Sequence, residues 1–254
     1  MSGMEANALH ISLLPGFCCR RGRETIDLTD SQQKLIVTVA LADKPVQRED
    51  LACRLWPDTA PIRAAARLRQ GLWRLNQTID SSGDVQLLQA SHATVALDER
   101  VQVDFRVAMK LIAPSVAGEA VPADDPGLLS TWHMLQQPLL PGWDLEWLPP
   151  HQESWDLRRV QALERLAETF LRREQHAVVL ELADAAARAD PLREGPRRIA
   201  IQSCLRAGEI ADAHRRYRRY RELLREELGV SPSGAIPRML WQARERSLEP
   251  VPSV

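Results

Sequence analysis

Lysine is nearly missing from this chain: Lys34, Lys44 and Lys110 are the only lysines among 33 basic residues, and the rest are arginines. Arginine presents a planar fork that matches phosphate and guanine, where lysine is a point charge. Aromatic residues make up only 5% of the 254 residues. Long apolar runs are also missing. The longest, Leu35 to Ala42, is broken by Thr38 and falls far short of the roughly 20 residues that span a bilayer. No basic stretch leads into an apolar segment at the start, so neither a signal peptide nor a membrane partner is expected. The four cysteines, Cys18, Cys19, Cys53 and Cys204, form no C-x-x-C pair. Adjacent Cys18 and Cys19 would point to opposite sides of a strand, and reduced thiols in a cytoplasmic protein, without a metal site, are the expectation. His10, His92, His133, His151, His176 and His214 are scattered, with no H-E-x-x-H. G-x-S-x-G and G-x-x-x-x-G-K-[ST] do not occur either, so no catalytic residue and no cofactor are expected, and the chain does not read as an enzyme.

What is present is a globular composition, 44% hydrophobic and 26% charged, with a net charge of -1. That balance supports one large or two ordinary domains. It also requires any nucleic-acid surface to arise from local segregation of charge. From Leu9 to Leu28 the chain reads as short strands around the polar cluster Arg20-Arg21-Gly22-Arg23. Thr29, Asp30 and Ser31 suit the cap of a helix carrying Leu35, Val39 and Ala42, and Asp43-Lys44-Pro45 ends it. A second helix is predicted from Gln47 to Trp56, stopped by Pro57. A third runs from Pro61 to Ile79, proline suiting its first turn. Val85 to Leu88 and Thr94 to Leu97 alternate about a tip at Ser91-His92, the pattern of a hairpin. Strands, three helices and a hairpin in that order predict an α+β winged helix-turn-helix domain over residues 1–112.

Pro114 to Pro126 is rich in Pro, Ala, Gly and Asp, which places a linker at 113–125. Residues 126–254 then read as all-α and tetratricopeptide-like. Ala167, Phe170, Val179, Ala183, Ala186 and Pro191 occupy the offsets of such a helical hairpin. Adding 34 residues to Phe170, Val179, Ala183 and Ala186 reaches Cys204, Ala213, Tyr217 and Tyr220, and Glu174-Gln175-His176-Ala177 answers Gly208-Glu209-Ile210-Ala211. Two units seldom bury their own faces, so helices around Leu128 to Gln137 and near Met239 should complete the stack.

The third helix carries the functional signal. At 100° per residue Ala64, Leu68, Leu72, Leu75 and Ile79 share one face, with Arg63, Arg67, Gln70, Arg74 and Gln77 opposite. Residues 60–79 hold four arginines and no acid, a local +4, while residues 1–110 net only +1. Arginine can fork to guanine O6 and N7, and glutamine can read adenine N6 and N7. Arg48 and the cap at Thr29 to Ser31 are placed to hold phosphates. His92 at the hairpin tip is placed to touch a minor groove. The bland alternative is a solvated amphipathic helix with arginines for solubility. A scaffold whose winged helix binds protein is a further alternative. Trp73 points toward the exposed side and is expected to fold over onto the hairpin. The run Arg215-Arg216-Tyr217-Arg218-Arg219-Tyr220-Arg221 invites a second nucleic-acid reading. Glu222, Glu226 and Glu227 stand at pairing distance along that helix, and a solvated or partner-facing surface is the preferred reading.

Gln33-Lys34-Leu35, Arg48-Glu49-Asp50-Leu51, Leu55-Trp56-Pro57-Asp58 and Arg74-Leu75 resemble the winged helix of the antibiotic-regulatory-protein activators of actinobacteria. Leu140-Pro141-Gly142-Trp143-Asp144, Asp190-Pro191-Leu192-Arg193-Glu194 and Glu226-Glu227-Leu228-Gly229-Val230-Ser231-Pro232 resemble their bacterial transcriptional activation domain. The resemblance covers residues 9 to 245 and suggests the short two-domain form. It implies a transcriptional activator of a biosynthetic or other specialised gene cluster, acting in the cytoplasm on the nucleoid. Its implied partners are double-stranded DNA bearing direct repeats, a second protomer bound head to tail on that DNA, and RNA polymerase with its sigma factor. By position, Arg63, Arg67, Gln70 and Arg74 would face DNA. Many members carry arginine where this chain has Asn76, so the resemblance gives no contact there.

Overall fold

The structure is a computed structural model that describes residues 8–42, 44–79, 86–117 and 132–248. Two compact units emerge: residues 1–110 with Gln137–Glu153, and Leu111–Gln136 with Ser154–Val254.

In the first unit, β1 (Leu9–Ser12), β2 (Cys18–Arg21) and β3 (Glu24–Thr25) form an antiparallel meander. Alternation in β1 buries Leu9 and Ile11. In β2, Cys19 is buried and Cys18 half-buried, as expected of neighbours on a strand. Burial pushes the Cys19 thiol up to about 11, so it stays protonated and inert at neutral pH. Gly22 turns β2 into β3 with φ 55°, a conformation open to glycine at no steric cost.

Helix α1 spans Asp30–Ala40. Gln32 reaches back to accept from the Thr29 N–H and hydroxyl, both at 2.9 Å. Its amide then donates to Thr78 Oγ1 at 2.9 Å, tying the start of α1 to the end of α3 (Pro61–Ile79). Helix α2 is Arg48–Leu55, with Glu49 and Asp50 in its first turn, where they complement the helix dipole. Gln47, expected as the first residue of that helix, instead caps it and closes β4 (Val46–Gln47). Two residues are too few for a period-2 signal, so the strand was invisible to pattern. Strand β4 pairs with β6 (Thr94–Leu97), which pairs with β5 (Leu88–Ala90), making a three-stranded wing in place of a simple hairpin.

Strand β7 (Gln102–Val103) returns to lie parallel to β1. It leads into α4 (Asp104–Ala117). The Asp104 carboxylate accepts from the N–H groups of Leu13 (2.8 Å), Leu14 (3.1 Å) and Phe105 (2.6 Å). Burial raises its pKa and these three bonds oppose the rise. Arg106 donates to the carbonyls of Val39, Ala40 and Ala42, satisfying the orphan acceptors at the end of α1. Helix α4 was not anticipated. It contains Pro114, so the linker expected at 113–125 is helical as far as Ala117. A proline removes one i→i−4 bond and kinks a helix without always ending it. The remainder of that stretch, residues 118–125, lies outside the described residues, as does Val85 of the hairpin.

The segment Gln137–Glu153 completes the first unit. The Leu140 N–H donates to the Leu13 carbonyl at 3.1 Å. The Trp143 ring meets Phe17 at 5.9 Å between centroids, tilted by 44°. Leu140 and Gly142 take φ 43° and 78°, the tight path that brings Trp143 round. The Leu140 to Asp144 motif therefore folds as part of the winged-helix unit.

The second unit is helical: α5 (Pro149–Arg172, here from Ser154), α6 (His176–Ala189), α7 (Glu194–Arg206), α8 (Ile210–Leu228) and α9 (Ala235–Leu248). Of the helix expected around Leu128 to Gln137, residues 132–135 are helical and those before 132 lie outside the described residues. The buried Arg159 donates to the Leu135 and Gln136 carbonyls at 3.3 and 3.2 Å and pairs with Asp156 at 2.6 Å.

The 34-residue repeat recurs in backbone detail. Glu174 and Gly208 both take positive φ, 58° and 78°. The Gln175 N–H bonds the Phe170 carbonyl at 3.1 Å, and the Glu209 N–H bonds the Cys204 carbonyl at 2.8 Å, equivalent six-to-one caps. Phe170, Val179, Ala183, Ala186, Cys204, Ala213 and Tyr220 are all buried, and Tyr217 is half-buried against the same core.

The Asp190 to Glu194 motif clips these helices together. Arg193 forks to Glu164 of α5 at 3.0 and 2.8 Å. The Leu192 carbonyl accepts from Tyr220 of α8 at 2.9 Å. Glu194 receives the Ser233 N–H just ahead of α9 at 2.8 Å. In α8, Arg216 forks to Asp184 at 2.6 and 3.1 Å and Arg215 pairs with Asp212, in place of the glutamates expected as partners. Gly229 ends α8 with φ 69° and the Val230 N–H on the Leu224 carbonyl.

A fragment ending at Glu153 is expected to outlast one ending at Pro114. The shorter piece loses the Phe17–Trp143 contact and the Leu140–Leu13 hydrogen bond, together about 1–3 kcal/mol. Chemical denaturation followed by Trp fluorescence and circular dichroism measures the difference, and equal stabilities would remove the segment from the first unit. In the second unit, a Cβ on Gly195 would lie 2.0 Å from Glu164 Oε1. Gly195→Ala should displace that carboxylate from Arg193 and cost about 1–2 kcal/mol. The cost should not add to that of Arg193→Ala, which a double-mutant cycle reads directly.

Candidate nucleic-acid interface

Helix α3 is positioned by its apolar stripe. Ala64, Leu68, Leu72, Leu75 and Ile79 are all buried. Two ties fix the end of the helix. Thr78 receives the Gln32 amide, and Arg21 donates to the Ile79 carbonyl, where a cation suits the helix C-terminus. Gly71 faces α1, and even a Cβ there would approach Leu35 only to 4.0 Å.

With that stripe inward, Arg63, Arg67, Gln70, Arg74 and Gln77 all stand exposed on one helix face. Arg67 donates to Thr59 Oγ1 at 3.1 Å, which orients its guanidinium from the turn before the helix. Arg67, Gln70 and Arg74 border a concavity with Thr29 and Ser31 at the start of α1 and with Trp56. There the helix N-terminus and two guanidiniums outweigh the one acid of the lining, Asp27, and favour an anion. The Thr29 N–H itself is already taken by Gln32.

Arg48 and His92 gather on the other flank, with Arg69 of α3, around a second groove. Arg48 is half-buried and donates to the Ser91 carbonyl at 2.7 Å. It therefore holds the wing tip in place, and His92 beside it is exposed. Glu49 and Asp50 line the same groove, so this flank is less uniformly basic than the α3 face. Ser91 shapes the tip, its Oγ accepting from the Ala93 and Thr94 N–H groups at 3.2 and 2.9 Å.

The wing is braced by Asp98, which is buried and accepts from Arg100 Nε (2.9 Å), Arg100 Nη2 (2.8 Å), the Arg100 N–H (2.9 Å) and Gln89 Nε2 (3.1 Å). The Arg100 hydrogen bonds hold this carboxyl well below the usual carboxylate range. Trp73 departs from expectation. It remains 63% exposed and borders the concavity beside Thr29, Trp56 and Arg74, with no hairpin residue in that lining. Sequence reasoning also missed Thr59, Gln32 and Arg21 as the residues that orient α3. Their bonds span 8, 46 and 58 positions, beyond the reach of local pattern.

The chain thus joins a winged helix-turn-helix unit to a set of tetratricopeptide-like helices. Residues 131–242 match the bacterial transcriptional activator domain. Regulatory protein AfsR of Streptomyces griseus is 28% identical over 237 residues, covering 89% of this chain and 24% of that protein. AfsR of Streptomyces coelicolor is 27% identical over 260 residues, covering 98% and 25%. The chain thus spans about a quarter of the length of these curated relatives. The solved structure of Mycobacterium tuberculosis EmbR in complex with a low-affinity phosphopeptide shares the fold, with a TM-score of 0.71 at 18% identity over 96% of this chain and 66% of that one. The domain match over residues 131–242 and the likeness to these regulatory proteins agree with the family resemblance of the motifs. Both curated relatives are regulatory proteins. Among the described residues no helix is long and apolar enough to cross a membrane.

Asp98→Asn should loosen the wing by about 1–3 kcal/mol at neutral pH, the scale of lost bonds to a buried charged group. Because the folded pKa is depressed, the stabilisation is full above the unfolded value of about 3.9 and is lost as pH falls toward the folded one. The gap between the two proteins should therefore begin to narrow only below about pH 4 and close as pH falls on toward the folded value. A gap that persists unchanged at low pH would show that the carboxylate charge contributes nothing.

Proposed function

We propose that the first unit grips double-stranded DNA by laying α3 in a major groove, and that the chain is a sequence-specific activator recruiting RNA polymerase and its sigma factor. The observation that carries this reading is the exposed face of α3. It displays Arg63, Arg67, Gln70, Arg74 and Gln77, and residues 60–79 contain no acid. Guanidiniums and amides on a helix anchored by its opposite face match the donors and acceptors on base edges. Arg48 and His92 at the wing, with the N-terminus of α1, add backbone contacts that set register. The helical second unit presents its surface to the polymerase.

Protomers bind direct repeats near a promoter and associate head to tail on the DNA. Identical winged helices in tandem meet the groove in one orientation, whereas a two-fold dimer demands a palindrome. The regulated genes belong to a biosynthetic or other specialised cluster, and the protein works on the nucleoid in the cytoplasm.

Mapping genomic binding sites and footprinting one of them tests the proposal. Arg67→Ala and Arg74→Ala should each weaken specific binding by about 1–3 kcal/mol if they read bases. Inserting half a helical turn between the repeats should abolish cooperativity while single sites keep their weak affinity. Wild-type affinity in both variants, with circular dichroism unchanged, or a footprint centred on an inverted repeat, would overturn this reading.

A further inference from the structure

The basic face of α3 also carries apolar bulk. Ile62 is 85% exposed and Trp73 63%. They lie eleven residues apart, about three helical turns, and so share one edge of the helix. Ala66, between them on the same edge, is exposed as well. This apolar row runs between two lines of donors, Arg63, Gln70 and Arg74 on one side and Arg69 on the other. Single exposed apolar residues need no explanation. A row of them framed by guanidiniums on both sides is a different object, because the frame restricts what can cover it. An apolar protein surface would have to bring acids along both its borders. The major groove of DNA has phosphates along both walls, and the C5-methyl groups of thymine are the apolar features of its floor.

We infer that Trp73 and Ile62 contact thymine methyl groups, so that α3 selects thymine at positions its arginines and glutamines do not read. The inference rests on the proposal that α3 is the DNA-binding helix. The two side chains are about 16 Å apart along the axis, so each meets a different base pair. Neither is part of the buried stripe.

The test uses the full chain, an operator recovered by mapping, and fluorescence anisotropy at one fixed salt concentration. Each thymine in turn is replaced by deoxyuridine, which removes only the methyl group. At one thymine the replacement should weaken wild-type binding about fourfold, the effect of one buried methyl-sized group. Trp73→Ala should bind the thymine and deoxyuridine operators equally, while Trp73→Phe keeps the preference. Ile62→Ala should erase the preference at a second thymine only. Wild-type indifference to deoxyuridine everywhere overturns the inference, as does full discrimination retained by Trp73→Ala. Weak binding by Trp73→Phe with no methyl effect also overturns it, placing the indole N–H on a phosphate. Failure to bind any specific DNA would instead bring down the reading of α3 itself, and specific binding without methyl discrimination leaves that reading standing.

Discussion

Burial of one stripe of α3 is the constraint on which the first unit depends. A helix rotates its side chains by 100° per residue, so once Ala64, Leu68, Leu72, Leu75 and Ile79 face inward the rest of the surface has no freedom. A one-residue slip would bury a guanidinium, at a cost far above any gain in packing. The polar ties at the ends of the helix then lock what the stripe orients. Gln32 joins the α1 cap to Thr78, Arg21 holds the Ile79 carbonyl, and Thr59 steadies Arg67. Arg106 closes the far end of α1 in the same manner. The display of α3 is a consequence of the core beneath it.

The second unit solves a different problem. Its helical pairs are built alike, and each needs a neighbour to cover its face. The 34-residue spacing works because the turn, not only the apolar pattern, repeats: a left-handed residue at Glu174 and Gly208, followed by equivalent capping bonds. Glycine takes that conformation freely, whereas at Glu174 the surrounding bonds must impose it. The Asp190 to Glu194 motif earns its place by reaching three other elements, through Arg193 to Glu164, Leu192 to Tyr220 and Glu194 to Ser233. A motif that carries the family resemblance is here a clip that sets the helical stack.

Long periodic elements were legible from residues alone. The bounds of α3 match the span from Pro61 to Ile79, and the exposed and buried faces fall where the 3.6 period puts them. Short strands were not. β4 and β7 have two residues each, and only pairing with β6 and β1 makes them strands. Helix α4 was hidden by Pro114, whose composition reads as linker. The placing of Gln137–Glu153 with the first unit rests on contacts more than 100 residues apart in sequence, such as Leu140 with Leu13, which no local pattern encodes. Of the candidate side chains, the five on α3 are brought to one face. Arg48 is drawn instead into holding the wing, a role visible only once the Ser91 carbonyl stands beside it.

If α3 is the DNA-binding surface proposed above, charge lets so small a surface dominate. The chain as a whole carries -1, while residues 60–79 carry +4, so everything outside α3 is on balance acidic. A polyanion is then attracted to one helix and repelled on average elsewhere, which orients an encounter as well as strengthening it. On the proposed reading, apolar and amide groups set among those arginines add discrimination that charge cannot supply, because phosphates are the same at every base pair. Near-neutral total charge also limits sequence-independent adhesion to DNA, which grows with the number of phosphates neutralised. On the proposed reading, the acidic remainder of the chain is thus part of specificity: it keeps weak, uniform binding low so that contacts on one face of α3 decide where the protein stays.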